Sequence, residues 1–466
     1  MNDRSHRNVA SVNAVDHSRR AFLQTASSLS LLGAASPFAM NLAAIGAASA
    51  QSVTDYKALV CVFLFGGNDQ TNTVIPFEAA EFAAYTNARP SIARAGADLT
   101  SLGAVAAQGG RSFALPNELT PLVNLWQSGK LAVLANVGPL FVPTTKSQFQ
   151  NSAVPLPPKL FSHNDQQSVW QSTGAEGTTT GWGGRLADLI LGGNTKQTFT
   201  AVSISGSAVF LSGQSVIQYQ VGTGGPTAIG GLGGGLFGAS AGGLALQQLI
   251  TAARPTLFEN EYNRVTSRSI VSTSDLNGAL ASAPALQTAF PTGNSLADQL
   301  KMVARMISVR QALGMARQVY FVSLGGFDTH DFQLRDQPTL HTTLADALSA
   351  FYAATVELGV ANSVTTFTAS DFGRTLISNG DGSDHGWGSH HFILGGSVLG
   401  GSIYGTFPQI QTGTPEDVGS GRLLPTTSVD QYAATLARWF GVADSVLPTV
   451  SPNIGNFTTR DMGFLA

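Results

Sequence analysis

Ala58-Leu-Val-Cys-Val-Phe-Leu-Phe65, followed at once by Gly66-Gly67-Asn68-Asp69, is the stretch on which the fold turns. An unbroken apolar run is the pattern of a strand buried on both faces of a parallel sheet. The two glycines let the backbone turn sharply and leave Asn68 and Asp69 at the strand's carboxyl end. The same arrangement recurs downstream. Val319–Leu324 stops at Gly325-Gly326 and leads to Asp328-Thr329-His330, and Val364–Thr368 is followed by Asp371 and Arg374. Lys130–Val137 and Phe199–Ile204 read as further strands, and Phe392–Leu394 is another apolar run. Helical stretches lie between them: Pro121–Gly129, a segment starting near Ser162 or Asn164, Leu186–Leu191, most of 244–317 with Leu296–Leu313 clearest, and Leu340–Leu358. Strands alternating with helices predict right-handed crossovers and an α/β fold, a three-layer, doubly wound, mostly parallel sheet.

In open α/β sheets, ligands bind at the carboxyl ends of the strands. Asp69, Asp328, His330 and Asp371 each fall just after such an end. The stretch Val364–Gly396 adds Asp384, His385, His390 and His391, so three of the eight histidines lie close together there. Carboxylates and imidazoles from separate loops, with no thiolate, suit a divalent metal: Zn²⁺, Mn²⁺, Mg²⁺ or Ca²⁺. The plainer alternative is a polar loop whose histidines hydrogen-bond the backbone. A metal there would acidify a bound water and offset charge on a phosphoryl or sulfuryl oxygen. Arg374 is placed in sequence to grip such an anion. Ser162, at a helix start, reads either as a nucleophile or as a simple N-cap.

Of the 466 residues, 43% are hydrophobic and 11% charged, which excludes a disordered polyelectrolyte and supplies a large core. The net charge of −3, without any run of Lys and Arg, argues against nucleic acid as a partner. The single cysteine, Cys61, lies inside the first apolar run and reads as a core residue, with no intrachain disulfide possible. Residues 222–243 are dominated by Gly with Ala, Thr and Ser, the composition of a surface loop or insertion.

The N-terminal fifty residues are expected to lie outside the fold. Ser18-Arg19-Arg20-Ala21-Phe22-Leu23 is a twin-arginine signal, and Ala48-Ser49-Ala50 is a small-residue cleavage site. The expectation is a mature chain from Gln51, delivered by the twin-arginine translocase to the periplasm or medium, and forming a single domain over 51–466. Polar residues interrupt the intervening apolar run, so no stable membrane span is expected.

The sequence also resembles the exported domain-of-unknown-function family 1501. The landmarks are GGNDQTNTVIPF from Gly66, Arg89-Pro90, the Gly129–Gly138 strand, SHNDQQSVWQS from Ser162, GWGGRLAD from Gly181, GGFDTH from Gly325, SDFGRT from Ser370 and GSDHGWGSHHFILGG from Gly382. That family in turn resembles the alkaline phosphatase and sulfatase superfamily. The resemblance implies an alkaline phosphatase-like domain with metal ligands at Asp69, Asp328, His330, Asp371 and His385, with His390 as the alternative to His385. It implies Ser162 as nucleophile, with Arg374 and His390 contacting the anion. The chain departs from the pattern in three ways. Phe372 stands where a second metal ligand would follow Asp371, the Asp/His motif is more closely spaced, and no Cys-x-Pro-x-Arg motif is present. A single-metal or degenerate site is compatible with these departures.

The expected function is thus a metal-dependent hydrolase of phosphate or sulfate esters. Its rival is a non-catalytic exported protein that uses the same fold to bind a glycan or a cell-surface partner.

Overall fold

The computed structural model describes residues 55–466 apart from 233–235, 237 and 240. The twin-arginine motif and the cleavage site therefore lie outside the described residues. In chain order the strands are β1 (Lys57–Leu64), β2 (Ile75–Pro76), β3 (Leu99–Val105), β4 (Arg111–Pro116), β5 (Leu131–Gly138), β6 (Ala201–Ser203) and β7 (Tyr219–Gln220). They continue as β8 (Arg317–Leu324), β9 (Val364–Ser370), β10 (Arg374–Ser378), β11 (Ser383–His385), β12 (Ser389–Gly395), β13 (Ile403–Tyr404) and β14 (Thr427–Ser428).

The central sheet runs β13-β5-β12-β9-β1-β8-β6-β7, with β14 joining β5. It is mixed and mostly parallel, because β12 runs antiparallel to both β5 and β9. β1 is central and parallel to both neighbours. Leu64 is level with Leu324 of β8 and with Ser370 of β9. That register brings Gly66–Asp69, Gly325–His330 and Asp371–Arg374 out at one edge of the sheet.

The apolar runs are continuous because both faces are covered. Ala58, Val60, Val62 and Leu64 share one buried cluster with Leu300 and Val303 of the helix Ser295–Ser308 and Leu344 and Leu348 of the helix Gln333–Glu357. On the opposite face Phe63 meets Phe321, while Phe367 packs on Trp182 of the helix Trp182–Ile190 and on Tyr432 of the helix Val429–Phe440. Fully burying each such side chain contributes about 1.5–3 kcal/mol. Cys61 is a buried member of β1, as its neighbours predict.

Three elements differ from expectation. The last long helix begins at Gln333 rather than Leu340, with Pro338 inside it. Only Ala201–Ser203 of the Phe199–Ile204 run is paired. Residues 75–116 hold a small antiparallel sheet, β2-β4-β3, that no apolar run of the sequence marks. Ser52–Ala466 group as one compact unit. Among the described residues, no helix is long and apolar enough to cross a membrane.

Candidate metal centre

Asp328 leaves the end of β8 through Gly325-Gly326 and lies against Gly66, in the loop that follows β1. Gly66 has φ +115°, and a Cβ there would lie 2.8 Å from the carbonyl carbon of Phe327. Glycine is what permits the two loops to approach. Arg374, fully buried, reaches across from the start of β10 and donates through Nη1 to Asp328 Oδ1 at 2.9 Å. Its guanidinium also donates to the carbonyls of Gly66 and Ser383. Burial alone would raise the Asp328 pKa, but the hydrogen bond and charge of Arg374 outweigh it and hold the carboxyl below its usual range.

Three imidazoles converge on this carboxylate. His330 Nε2 lies 3.1 Å and His385 Nε2 3.5 Å from Asp328 Oδ1, and His163 Nε2 lies 3.4 Å from Oδ2. His163, Asp328 and His385 offer ligand atoms all within 4.8 Å of one another, and His330 joins them through Asp328 and His385.

In each ring the other nitrogen is tied back. His163 Nδ1 is 2.6 Å from Asp371 Oδ2, His330 Nδ1 is 3.2 Å from Asp384 Oδ1, and His385 Nδ1 is 2.8 Å from the carbonyl of Phe161. A carbonyl only accepts, so His385 Nδ1 carries the proton and its Nε2 presents a lone pair. His330 Nε2 faces that lone pair at 2.8 Å. Imidazoles whose Nδ1–H groups are held by carboxylate or carbonyl while their Nε2 atoms meet are the outer support characteristic of metal ligands. The donor set fits a divalent ion.

Packing fixes the rings. Phe372, fully buried, packs at a tilt against His163 and His385 with centroids 4.8 and 4.6 Å apart. The hydrogen bond that His163 donates to Asp371 raises the His163 pKa, whereas burial lowers that of His385. His163 opens the helix His163–Ser172, directly after Lys159 and Phe161, both at positive φ (43° and 72°). Non-glycine residues held in that region store strain, which clusters at functional sites.

The sequence-derived candidates separate. Asp328, His330 and His385 come together. Asp371 is the support of His163 rather than a fourth arm: its Oδ2 also accepts from Gln167 and from the Gly66 amide, at 2.7 and 3.2 Å. The structure places the other candidates elsewhere. Asp69 is fully buried and clasped by Arg89, with Nη1–Oδ1 3.0 Å and Nη2–Oδ2 2.7 Å, and it also accepts from Gln333 and the Thr71 amide. His390 lies within β12, accepting from the Asn136 amide through Nδ1 and stacking on Phe407, with burial pressing its pKa to about 3. It contacts no anion site. Ser162 is the N-cap residue but makes no cap bond; its hydroxyl donates to Asp165 at 2.8 Å, and the residue of that turn that reaches the centre is His163. Arg374, likewise, is spent on Asp328 and on carbonyls rather than free for an anion.

His163 and Asp384 are the functional residues not assigned from sequence. The available signal was a histidine at the first position of a helix, inside the SHNDQQ motif.

Comparisons with known proteins give the following. No curated protein sequence matches the chain. Among solved structures, the chain is similar to the PsFucS1 sulfatase from Pseudoalteromonas sp., with a TM-score of 0.36 and 10% identity over 87% of this chain and 71% of that one. It is also similar to the lipoteichoic acid synthase LtaP from Listeria monocytogenes (TM-score 0.34, 9% identity, 87% and 77% covered). A mutant of the alkaline phosphatase PafA is a third (TM-score 0.21, 13% identity, 69% and 64% covered). Over residues 246–450 the chain matches the family described as "Protein of unknown function (DUF1501)", the family its motifs resemble.

Proposed function

We propose that this chain is an exported, metal-dependent hydrolase of esters, with phosphate and sulfate esters as the class to test first. The observation that carries the reading is the convergence of three imidazole Nε2 atoms on Asp328 at the carboxyl edge of the sheet, each ring held from behind. When bound, a divalent cation supplies Lewis-acid polarisation of the ester oxygen and a water whose pKa falls to about 7.

The chain's own residues supply the rest. Asp371, Asp384 and the Phe161 carbonyl keep the three rings in one tautomer, and Arg374 keeps the Asp328 carboxylate ionised and aimed. The side chains of Asp328 and His330 are 44% and 39% exposed, so the centre opens to solvent on one side and a substrate can approach without a lid. With the Ser162 hydroxyl engaged by Asp165, attack by water is favoured over a covalent serine intermediate.

A second reading, an exported binding protein for a glycan or surface partner, is favoured by the engagement of Arg374. That residue has no free face for a dianion. The test is hydrolysis of aryl phosphate and aryl sulfate esters by the purified, metal-loaded chain and its His385→Ala variant. Turnover that is lost in the variant supports the hydrolase. Wild-type protein that is metal-loaded yet inactive on both esters leaves the binding reading.

A further inference from the structure

We propose that a second copy of this chain docks, in antiparallel register, on the exposed N-terminal half of the helix Leu257–Ser282. None of the residues involved belongs to the candidate metal centre.

Nine of the fifteen large apolar side chains that stand exposed among the described residues fall between Ile217 and Val271, a concentration that marks an interaction surface rather than scattered exposure. The helix explains the pattern. Phe258, Tyr262, Val265, Ser269, Ser272, Leu276 and Ala279 follow one another at spacings of 4, 3, 4, 3, 4 and 3, the repeat that keeps one seam turned toward a partner helix. The C-terminal half of that seam is filled from within the chain. Ser272, Leu276 and Ala279 are buried, the last two in the main core. The N-terminal half is open: Phe258 is 87% exposed, Tyr262 69% and Val265 43%. Clefts flank it, one against Leu246 and Ile250 and the other against Ile217 and Tyr219, and Val265 and Ser269 line both. Such holes accept the knobs of another helix.

Sequence symmetry and charge point to the occupant. Turned end for end, the open seam reads the same 4-3-4 spacing. An antiparallel copy therefore sets bulky Phe258 opposite the partner's Ser269, and Tyr262 opposite the partner's Val265. The charges beside the seam agree with that direction. Glu261 and Arg268 are seven residues apart on one flank, so each meets the partner's other one, giving two opposite-charge contacts about a twofold axis. In a parallel pair the same two positions would face Thr266 and Thr273 and leave both charges unmet. Arg268 is exposed and pairs with no carboxylate of its own chain among the described residues, whereas Glu259 is already engaged by the N-cap Thr256. From Phe258 to Ser269 the open seam runs about 17 Å at 1.5 Å per residue. That is short for a helix pair and sets association in the micromolar range.

The experiment is sedimentation velocity of the purified chain from low micromolar to submillimolar concentration, with a parallel flotation assay on phosphatidylglycerol vesicles. The expected result is a reversible monomer–dimer equilibrium. Phe258→Asp, at a site open to solvent, should weaken association at least about 100-fold while the melting temperature of the dilute monomer stays put. Glu261→Arg and Arg268→Glu should each weaken it about 10-fold, and the combined Glu261→Arg/Arg268→Glu variant should recover wild-type association. That recovery is what unspecific apolar adhesion would not give. A wild-type chain that stays monomeric throughout, a dimer that survives Phe258→Asp, or a charge exchange that fails to restore association each overturns the proposal. A monomer that floats with the vesicles, and ceases to do so as Phe258→Asp, assigns the face to a lipid surface and overturns it as well.

Discussion

Arg89→Met removes the guanidinium from a pair in which both side chains are fully buried. Asp69 then keeps only the Gln333 amide and the Thr71 N–H, neutral donors that cannot balance its charge. Breaking one side of a buried ion pair costs about 3–5 kcal/mol, most of it the uncompensated charge left behind. Asp69→Asn should cost a similar amount by stranding Arg89, whose Nε already lacks a partner. The double variant Asp69→Asn/Arg89→Met has no buried charge, so its cost should fall well short of the sum of the singles. Urea unfolding followed by tryptophan fluorescence gives the three stabilities, and the coupling between them is the quantity of interest. Single changes costing below about 1 kcal/mol, or a double change that is simply additive, would refute the view that this pair is a structural cation–carboxylate unit.

Other consequences are as direct. Phe372→Ala should lose about 3–5 kcal/mol of stability through the cavity it opens, and should also weaken binding of a divalent metal because two imidazoles lose their brace; parallel urea unfolding and titration with divalent metals check both. Gly66→Ala places a Cβ at φ +115° against the Phe327 backbone, at a cost of about 1–3 kcal/mol, read as a lowered melting temperature. Burial holds His341, His390 and His391 at a pKa of about 3, below the unfolded value of 6.5. Their neutral forms stabilise the fold above pH 6.5, and that contribution, up to roughly 4–5 kcal/mol each, is lost as pH falls toward 3. His341→Gln should therefore flatten the fall in melting temperature between pH 6.5 and 4. Asp430 works in the opposite sense. Burial raises its pKa to about 6, so roughly 3 kcal/mol is lost as pH rises from 4 to 6, and Asp430→Asn should remove that slope.

How much could be read without coordinates follows from what each residue depends on. The strands β1, β8 and β9 were visible because burial on both faces forces a continuous apolar run, and the glycines after two of them marked the edge where the polar groups gather. Asp328 and His330 follow the end of β8, and His385 ends the short strand β11, so all three were readable as candidates from their positions. His390 was not separable from His385 by spacing. What separates them is that His390 belongs to β12, inside the sheet, while His385 closes the β10–β11 hairpin opposite Arg374. His163 reaches the centre only because its helix docks against the β9 end, a tertiary fact without a local pattern. The pairing of Asp69 with Arg89 depends on a side chain that crosses from the helix Ala79–Ala88, again with no periodic mark. Pro338 hid the first turn of its helix, since proline lacks the N–H that a helix interior needs. Phe372 read as a lost ligand and instead packs against two of the imidazoles.

The three imidazoles also come from parts of the chain that are far apart. His163 meets the carboxylate of a residue 208 positions away, and His330 meets His385 across 55. An ion bound at this centre would act as a reversible staple between segments 208 residues apart. It binds the folded form alone, so a thousandfold excess over its dissociation constant adds about 4 kcal/mol of stability. The supply of that ion would then set how long each folded molecule resists proteolysis, whatever reaction the centre performs.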